Sequence, residues 1–342
     1  MRRAVTLAPR TIELRDGPEP GADGGQALLR VEAVGLCGSD YHVFDGTHPY
    51  THYPRTQGHE IAAVIEALPP AYTGSLRPGQ RVAVEPVMSC GTCFPCRRGR
   101  RNCCVKLTVL GIQADGGLAQ RLAVDPGLLY PTGALGPLTA VLTEPVSIGL
   151  HAVRRGMVMP GDHVVVLGAG TIGQAITLAA ADGGARVLVA DRVRKRLDRA
   201  LTMGADQVVD STRSDVAAAA ARFTGGEGAA VVLEATGYAP MLRLAVEIVA
   251  HSGTVVAVGT STAAVEIPVV EFSRKEINLV GSRNSTGIFA AAVAMVTRHA
   301  GRLATLVTHE FELAEVTSAM AAGRDNLDAV GKVVVSIGPG DG

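Results

Sequence analysis

Five of the six cysteines fall in one stretch, "SCGTCFPCRRGRRNCC", residues 89–104, and the sixth, Cys37, stands far upstream. Cys90, Cys93, Cys96 and Cys104 are spaced C-x2-C-x2-C-x7-C. Four thiolates on so short a loop suit tetrahedral zinc with no position left open, the mark of a structural rather than a catalytic metal. Cys103 sits beside Cys104, and spacing alone does not choose between them. A zinc ribbon would show a second C-x2-C pair some 15 to 20 residues on, and none follows. Arg97, Arg98, Arg100 and Arg101 therefore read as a solvated loop that favours thiolates, not as a nucleic-acid patch.

If that metal is closed, chemistry needs another. "GLCGSDYH" supplies Cys37, and "QGHE" supplies His59 and Glu60. A thiolate, an imidazole and a carboxylate suit a zinc ion that keeps one position for water or substrate. Glu144 in "VLTEPVSIGLHAV" is a further carboxylate candidate. Each has a plainer reading: a core cysteine, a structural histidine, and a first-turn acid favoured by the helix dipole.

A third constellation has a different purpose. "VVVLGAGTIGQA" sets Gly168, Gly170 and Gly173 in G-x-G-x-x-G spacing, after an apolar run and at the mouth of a helical pattern. Such glycines permit a tight turn and the close approach of a pyrophosphate to a helix N-terminus. The next run, "RVLVAD", ends in Asp191, 18 residues past Gly173, where a carboxylate can take both hydroxyls of an adenosine ribose. Asp191 would repel a 2'-phosphate, so NAD is expected over NADP. Arg192, Arg194, Lys195 and Arg196 soften that preference.

These residues need a scaffold, and its grammar changes along the chain. Residues 1 to about 140 give short alternating segments such as "QALLRVEAVG" and "EIAAVIEAL", broken by Gly, Pro and Asp, the pattern of a β-rich domain. From Val164 onward, apolar runs ("HVVVLG", "RVLVAD", "QVVD", "AVVLEATG", "TVVAVG", "INLVGS") alternate with helix-length stretches. That alternation argues for a parallel sheet covered on both faces. After "GSRNS" the pattern breaks, and the tail ending in "GKVVVSIG" is expected to return to the first domain.

Composition bounds the function. The 342 residues are 47% apolar, enough for two domains. Thirty-two basic residues balance thirty-two acidic ones, so no overall field draws the chain to nucleic acid or an anionic membrane. The first residues lack the apolar core of a secretion signal, and a cytoplasmic, reducing address is expected, in which a disulfide set is disfavoured. The uncharged run from Val164 to Ala181 reaches membrane-helix length, but its three clustered glycines oppose that reading.

Taken together, "CGSDYH", "GHE", the four-cysteine loop, "DGGLAQRLAV", "EPVSIGLHA", "GAGTIG" and "KEINLVGS" resemble the zinc-dependent medium-chain alcohol dehydrogenases over nearly the whole chain. The resemblance implies an α/β protein: a GroES-like, β-rich catalytic domain from residues 1–145 and 288–342, with a Rossmann NAD-binding domain inserted at 146–287. It implies two zinc ions per chain. Cys37 and His59 become catalytic ligands, with Glu60 or Glu144 completing the shell directly or through water, and Cys90, Cys93, Cys96 and Cys104 hold the structural ion. It makes Ser39 the hydroxyl at the substrate oxygen and His42 the next proton station. Ile172 falls to the pyrophosphate turn, Asp191 and Arg196 to the ribose, and Val258 to the nicotinamide. One departure is Ala63, where the family usually has glycine, which puts the local turn in question.

The implied reaction passes a hydride between NAD and a hydroxyl-bearing carbon. The polar "SDYHVFDGTHPYTHYPR" stretch and the absence of Trp suit a polyhydroxylated substrate, and the resemblance places Arg283 and Asn284 at it. "EPVSIGLHA" is similar to the sorbitol, threonine and aldonate branch. A secondary hydroxyl of a polyol, cyclitol or sugar acid is the expected target, with an amino alcohol such as threonine or an aminocyclitol as the alternative. A non-catalytic NAD-binding protein would need a damaged zinc shell, which this chain does not show. The resemblance further implies a homodimer or homotetramer joined through the "INLVGS" edge strand.

Overall fold

Along Ala27–Leu36, buried Ala27, Leu29 and Val31 alternate with half-buried Leu28, Arg30 and Glu32, and the last four residues are buried on both faces. A strand that begins half-covered and ends fully enclosed belongs at the centre of a sheet. The computed structural model describes residues 1–21, 23–325 and 330–338, and the chain divides into two compact units, Met1–Glu144 with Phe289–Gly342, and Pro145–Ile288.

In the first unit a seven-stranded sheet runs in the order Val307–Glu312, Lys332–Ser336, Ala27–Leu36, Glu60–Ala67, Arg81–Val84, Leu129–Pro131, with Arg121–Val124 also on Ala27–Leu36. The tail does return: Val333 lies opposite Leu36, antiparallel. On the other side Gly35 faces Glu60. This register brings Lys332, Leu36 and Glu60 together at one end of three neighbouring strands. Leu29, Val31, Ile61, Ile65, Leu118 and Val333 fill the core beneath them. Ala63 makes no turn; it is buried within Glu60–Ala67, and the local irregularity is a register slip between Val31 and Ala33 opposite it.

The second unit is a six-stranded parallel sheet in the order Gln207–Asp210, Arg186–Asp191, His163–Leu167, Ala229–Glu234, Val249–Ala257, Asn278–Gly281. Its strands are runs of Val, Leu and Ala with cores on both faces, as continuous burial requires. Strand order reverses beside His163–Leu167, the place where open α/β sheets bind ligands at their carboxyl ends. Asn278–Gly281 is the edge strand. The uncharged run from Val164 is split between a strand and the helix Thr171–Asp182. Among the described residues no helix is long and apolar enough to cross a membrane.

Candidate active site and metal centres

The cysteine loop closes on itself. Ligand atoms of Cys90, Cys93, Cys96 and Cys104 all lie within 4.8 Å of one another. Sγ separations are 3.4 Å for Cys93–Cys96, 3.8 Å for Cys93–Cys104 and 3.5 Å for Cys90–Cys104. Tetrahedral zinc, with Zn–S of about 2.3 Å, asks for sulfurs about 3.8 Å apart, so the cradle fits the ion. No cysteine is in a disulfide. The N–H groups of Cys90 and Lys106 both donate to Cys104 Sγ at 3.3 Å. Backbone N–H groups of Thr92 and Cys93 pull the Cys90 thiol down to about 6, readying it as a thiolate. Cys104, not Cys103, belongs to the four. Arg97, Arg98 and Arg101 are exposed.

The second cluster is built by strand ends. Cys37 follows Ala27–Leu36 directly and caps the helix Gly38–Asp45, while Glu60 opens the neighbouring strand and His59 immediately precedes it. Ligand atoms of Cys37, His59 and Glu60 lie within 4.8 Å of one another. Beneath them Asp40, fully buried, accepts the Cys37 N–H through Oδ2 at 2.9 Å and the Gly58 N–H through Oδ1 at 3.2 Å. Its backbone carbonyl accepts from Gln57 Nε2 at 2.8 Å, and Thr6 Oγ1 donates to Gln57 Oε1 at 2.6 Å.

Two atoms of this cluster are buried without a hydrogen-bond partner, His59 Nδ1 and Glu60 Oε2. Nδ1 lies 3.6 Å from Asp40 Oδ2, too long for a hydrogen bond. Nδ1 faces Asp40, but an unpartnered carboxylate oxygen such as Glu60 Oε2 is costly in a dry interior, and a cation among a thiolate, an imidazole and a carboxylate relieves that cost, so the donor set fits zinc. Burial pushes the His59 imidazole down, but Asp40, Cys37 and Glu144 outweigh it and hold the group well above its ordinary value.

Glu144 stands in the first turn of Thr143–Gly156, outside the three-residue cluster. Burial, with Glu60 adding, pushes its carboxyl up to about 7. Glu60 Oε1 accepts from Lys332 Nζ at 2.6 Å. Ser39 is half-buried in the first turn of Gly38–Asp45. His42, exposed, places Nδ1 2.9 Å from Thr47 Oγ1.

In the second unit, Gly168 (φ 99°) turns the chain out of His163–Leu167, and Gly170 caps the helix Thr171–Asp182. A Cβ on Gly173 would lie 1.9 Å from Gly168 O, so strand and helix meet only through glycine. Asp191 Oδ2 accepts the Ala169 N–H at 2.6 Å and Oδ1 accepts the Val193 N–H at 2.8 Å. This buried carboxylate pins the glycine turn, a job its position in the sequence did not disclose; each oxygen retains a lone pair. Ile172 is half-buried against the sheet. The Arg196 carbonyl accepts from Gln174 Nε2 at 2.8 Å, and the Val258 N–H donates to Glu234 O at 2.8 Å. Arg283, exposed, and Asn284 (φ 44°) follow the edge strand.

Comparison with known proteins decides the family. An alcohol dehydrogenase GroES-like domain matches residues 23–134 and a zinc-binding dehydrogenase domain matches residues 171–298. L-galactonate-5-dehydrogenase of Escherichia coli K12 is 38% identical over 272 residues, covering 80% of this chain and 79% of that protein. The chain is a zinc-dependent medium-chain alcohol dehydrogenase.

Sorbitol dehydrogenase of Halalkalibacterium halodurans is another relative of this family, 31% identical over 88% of this chain and 89% of its own length. Among solved structures, an alcohol dehydrogenase (RspB) from Escherichia coli CFT073, complexed with NADH, superposes with a TM-score of 0.91 at 29% identity, covering 98% of this chain and 99% of that one. The medium-chain dehydrogenase fold thus accounts for the GroES-like sheet and the Rossmann sheet. Two residues packed against the Cys37–His59–Glu60 cluster escaped sequence reading, Asp40 and Lys332. Asp40 sits inside the "CGSDYH" motif and is an acid three residues from a candidate ligand. Lys332 lies 272 residues from Glu60, and nothing local signals the pairing.

Proposed function

We propose that this dehydrogenase oxidises a secondary hydroxyl of a polyol, cyclitol or sugar acid, with NAD taking the hydride and two zinc ions bound per chain. The observation that carries the reading is the Cys37–His59–Glu60 cluster with its orphaned, buried Glu60 Oε2. In this reading residues 1–145 and 288–342 form the catalytic domain and 146–287 the NAD-binding domain. Named relatives act on L-galactonate and sorbitol, and one structural neighbour carries NADH; all three support the assignment.

Cys37, His59 and Glu60 would hold the catalytic zinc, with Glu144 the nearby reserve carboxylate. A zinc ion there supplies positive charge that makes a bound hydroxyl more acidic. Ser39 orients the substrate oxygen and passes its proton toward His42, whose imidazole stands at the exposed end of the helix and releases it to water. Asp40 holds Cys37 and His59 in place. Gly168, Gly170, Ile172 and Gly173 cradle the pyrophosphate, Asp191 and Arg196 take the adenosine ribose, and Val258 backs the nicotinamide. Arg283 and Asn284 contact the substrate. The cysteine loop holds its zinc for structure alone. Six free thiols suit a cytoplasmic address, and the edge strand Asn278–Gly281 suits pairing of two Rossmann sheets in a dimer or tetramer.

The test is NADH formation against a panel of polyols, aldonates, cyclitols and amino alcohols, with NADP offered separately. Turnover on a polyhydroxylated compound with NAD supports the reading. Turnover confined to threonine or an aminocyclitol would replace the substrate class, and none at all would overturn the activity.

A further inference from the structure

Lys332 is buried in a site already rich in acids. Its side chain is 2% exposed and that of Glu60 is fully buried. Nζ donates to Glu60 Oε1 at 2.6 Å and to the carbonyl of Leu36 at 3.1 Å, the residue that precedes Cys37. Removing an ammonium from water is expensive and is tolerated only where a fixed partner repays it. The proposed mechanism gives Lys332 nothing to do, since it neither binds the hydroxyl nor lies on the proton route.

The charge inventory explains its presence. Cys37, His59 and Glu60 bring their ligand atoms within 4.8 Å of one another, Asp40 Oδ2 stands 3.6 Å from His59 Nδ1, and Lys332 Nζ is 2.6 Å from Glu60 Oε1, so acids and one ammonium share a single buried region. A metal dication attracts any unrestrained carboxylate oxygen within its reach. A catalytic zinc, unlike a structural one, must keep a position open. Glu60 has one oxygen engaged by Lys332 and one free.

We propose that Lys332 is a positioning residue whose ammonium holds Glu60 by Oε1, so that this carboxylate meets the metal through Oε2 alone, cannot close over it with both oxygens, and leaves the substrate's coordination position open. The inference rests on the reading of Cys37 and His59 as catalytic zinc ligands. It differs in sign from a purely structural role. A lysine that merely props the fold weakens metal binding when lost; one that restrains a carboxylate strengthens it.

The experiment exchanges Co2+ into the catalytic site of the native protein, K332M and K332R, and follows the visible cobalt bands and release of the metal to a chelator. In K332M the bands should weaken as a ligand is added, and release should slow by about tenfold, the scale on which residues surrounding metal ligands act. K332R, which keeps the charge, should restore the native spectrum. K332Q keeps an N–H donor for the Leu36 carbonyl and no charge; it should behave as K332M does, and decides the matter if K332M does not fold. A neutral variant with the native cobalt spectrum, or one that loses its metal faster, overturns the proposal. If the native protein takes no metal at Cys37 and His59, the reading beneath it fails instead and carries this inference down with it.

Discussion

Asp40 Oδ2 accepts the Cys37 N–H at 2.9 Å and stands 3.6 Å from His59 Nδ1, so one buried carboxylate addresses both residues that open the metal cluster. Outer partners of this kind fix ring orientation and raise ligand basicity. Asp40→Asn keeps the shape and removes the charge. It should weaken zinc binding at this site by about 10- to 100-fold, read by competition with a chelator, while the four-cysteine site keeps its ion.

His59 is also placed from behind by a backbone crossing. A Cβ on Gly116 would lie 2.1 Å from Gly58 O and 2.7 Å from Gly111 Cα. Those neighbours are main chain and have nowhere to go, so the segment carrying His59 must shift. Gly116→Ala should cost about 2 kcal/mol or more, seen as a lower urea midpoint, and should lower occupancy of the catalytic site.

The cysteine loop separates its two adjacent thiols. Cys104→Ser should remove one zinc per chain and lower the melting temperature, because Cys104 is within the cluster. Cys103→Ser should leave the zinc count at its native value. Metal analysis of the two purified variants distinguishes them directly.

Tyr130 donates to Glu85 Oε2 at 2.9 Å. Burial, reinforced by Glu85, pushes the phenol from its ordinary 10 up to about 12. A raised folded pKa contributes stability that is full below the unfolded value and is lost as pH climbs through the folded one. The native protein should therefore exceed Tyr130→Phe by about 1 kcal/mol near neutrality. That margin should shrink between pH 10 and 12, as measured by urea unfolding across the range.

Much of this was written in local pattern. Period-two alternation marked Ala27–Leu36, buried Val runs marked the parallel strands, and glycine spacing marked the turn at Gly168, because each depends on neighbours a few residues away. Cys37 and His59 could be paired on chemical type before any contact was known. Spacing left Cys103 and Cys104 open, because both lie at the same loop end and only the path of the chain aims one of them inward. Lys332 was out of reach: its role comes from the register of three strands distant in sequence, and a lysine in "GKVVVSIG" looks like a solvated strand end. Asp191 was half legible, its fitness for a ribose suggested by position and its hold on Ala169 visible only once the turn was closed. The Ala63 substitution looked like a disturbed turn and is instead an ordinary buried strand position.

The central claim is that the Cys37–His59 cluster is where the reaction occurs, while the conspicuous cysteine loop is structural. It is tested most directly by withdrawing the catalytic zinc in steps with a chelator and measuring, on each sample, zinc per chain, NADH formation and NAD binding. The account predicts that turnover falls in proportion to the first zinc removed, that NAD binding persists, and that Cys37→Ala begins at that inactive endpoint. Full turnover after the first zinc is gone, or in Cys37→Ala, would contradict it.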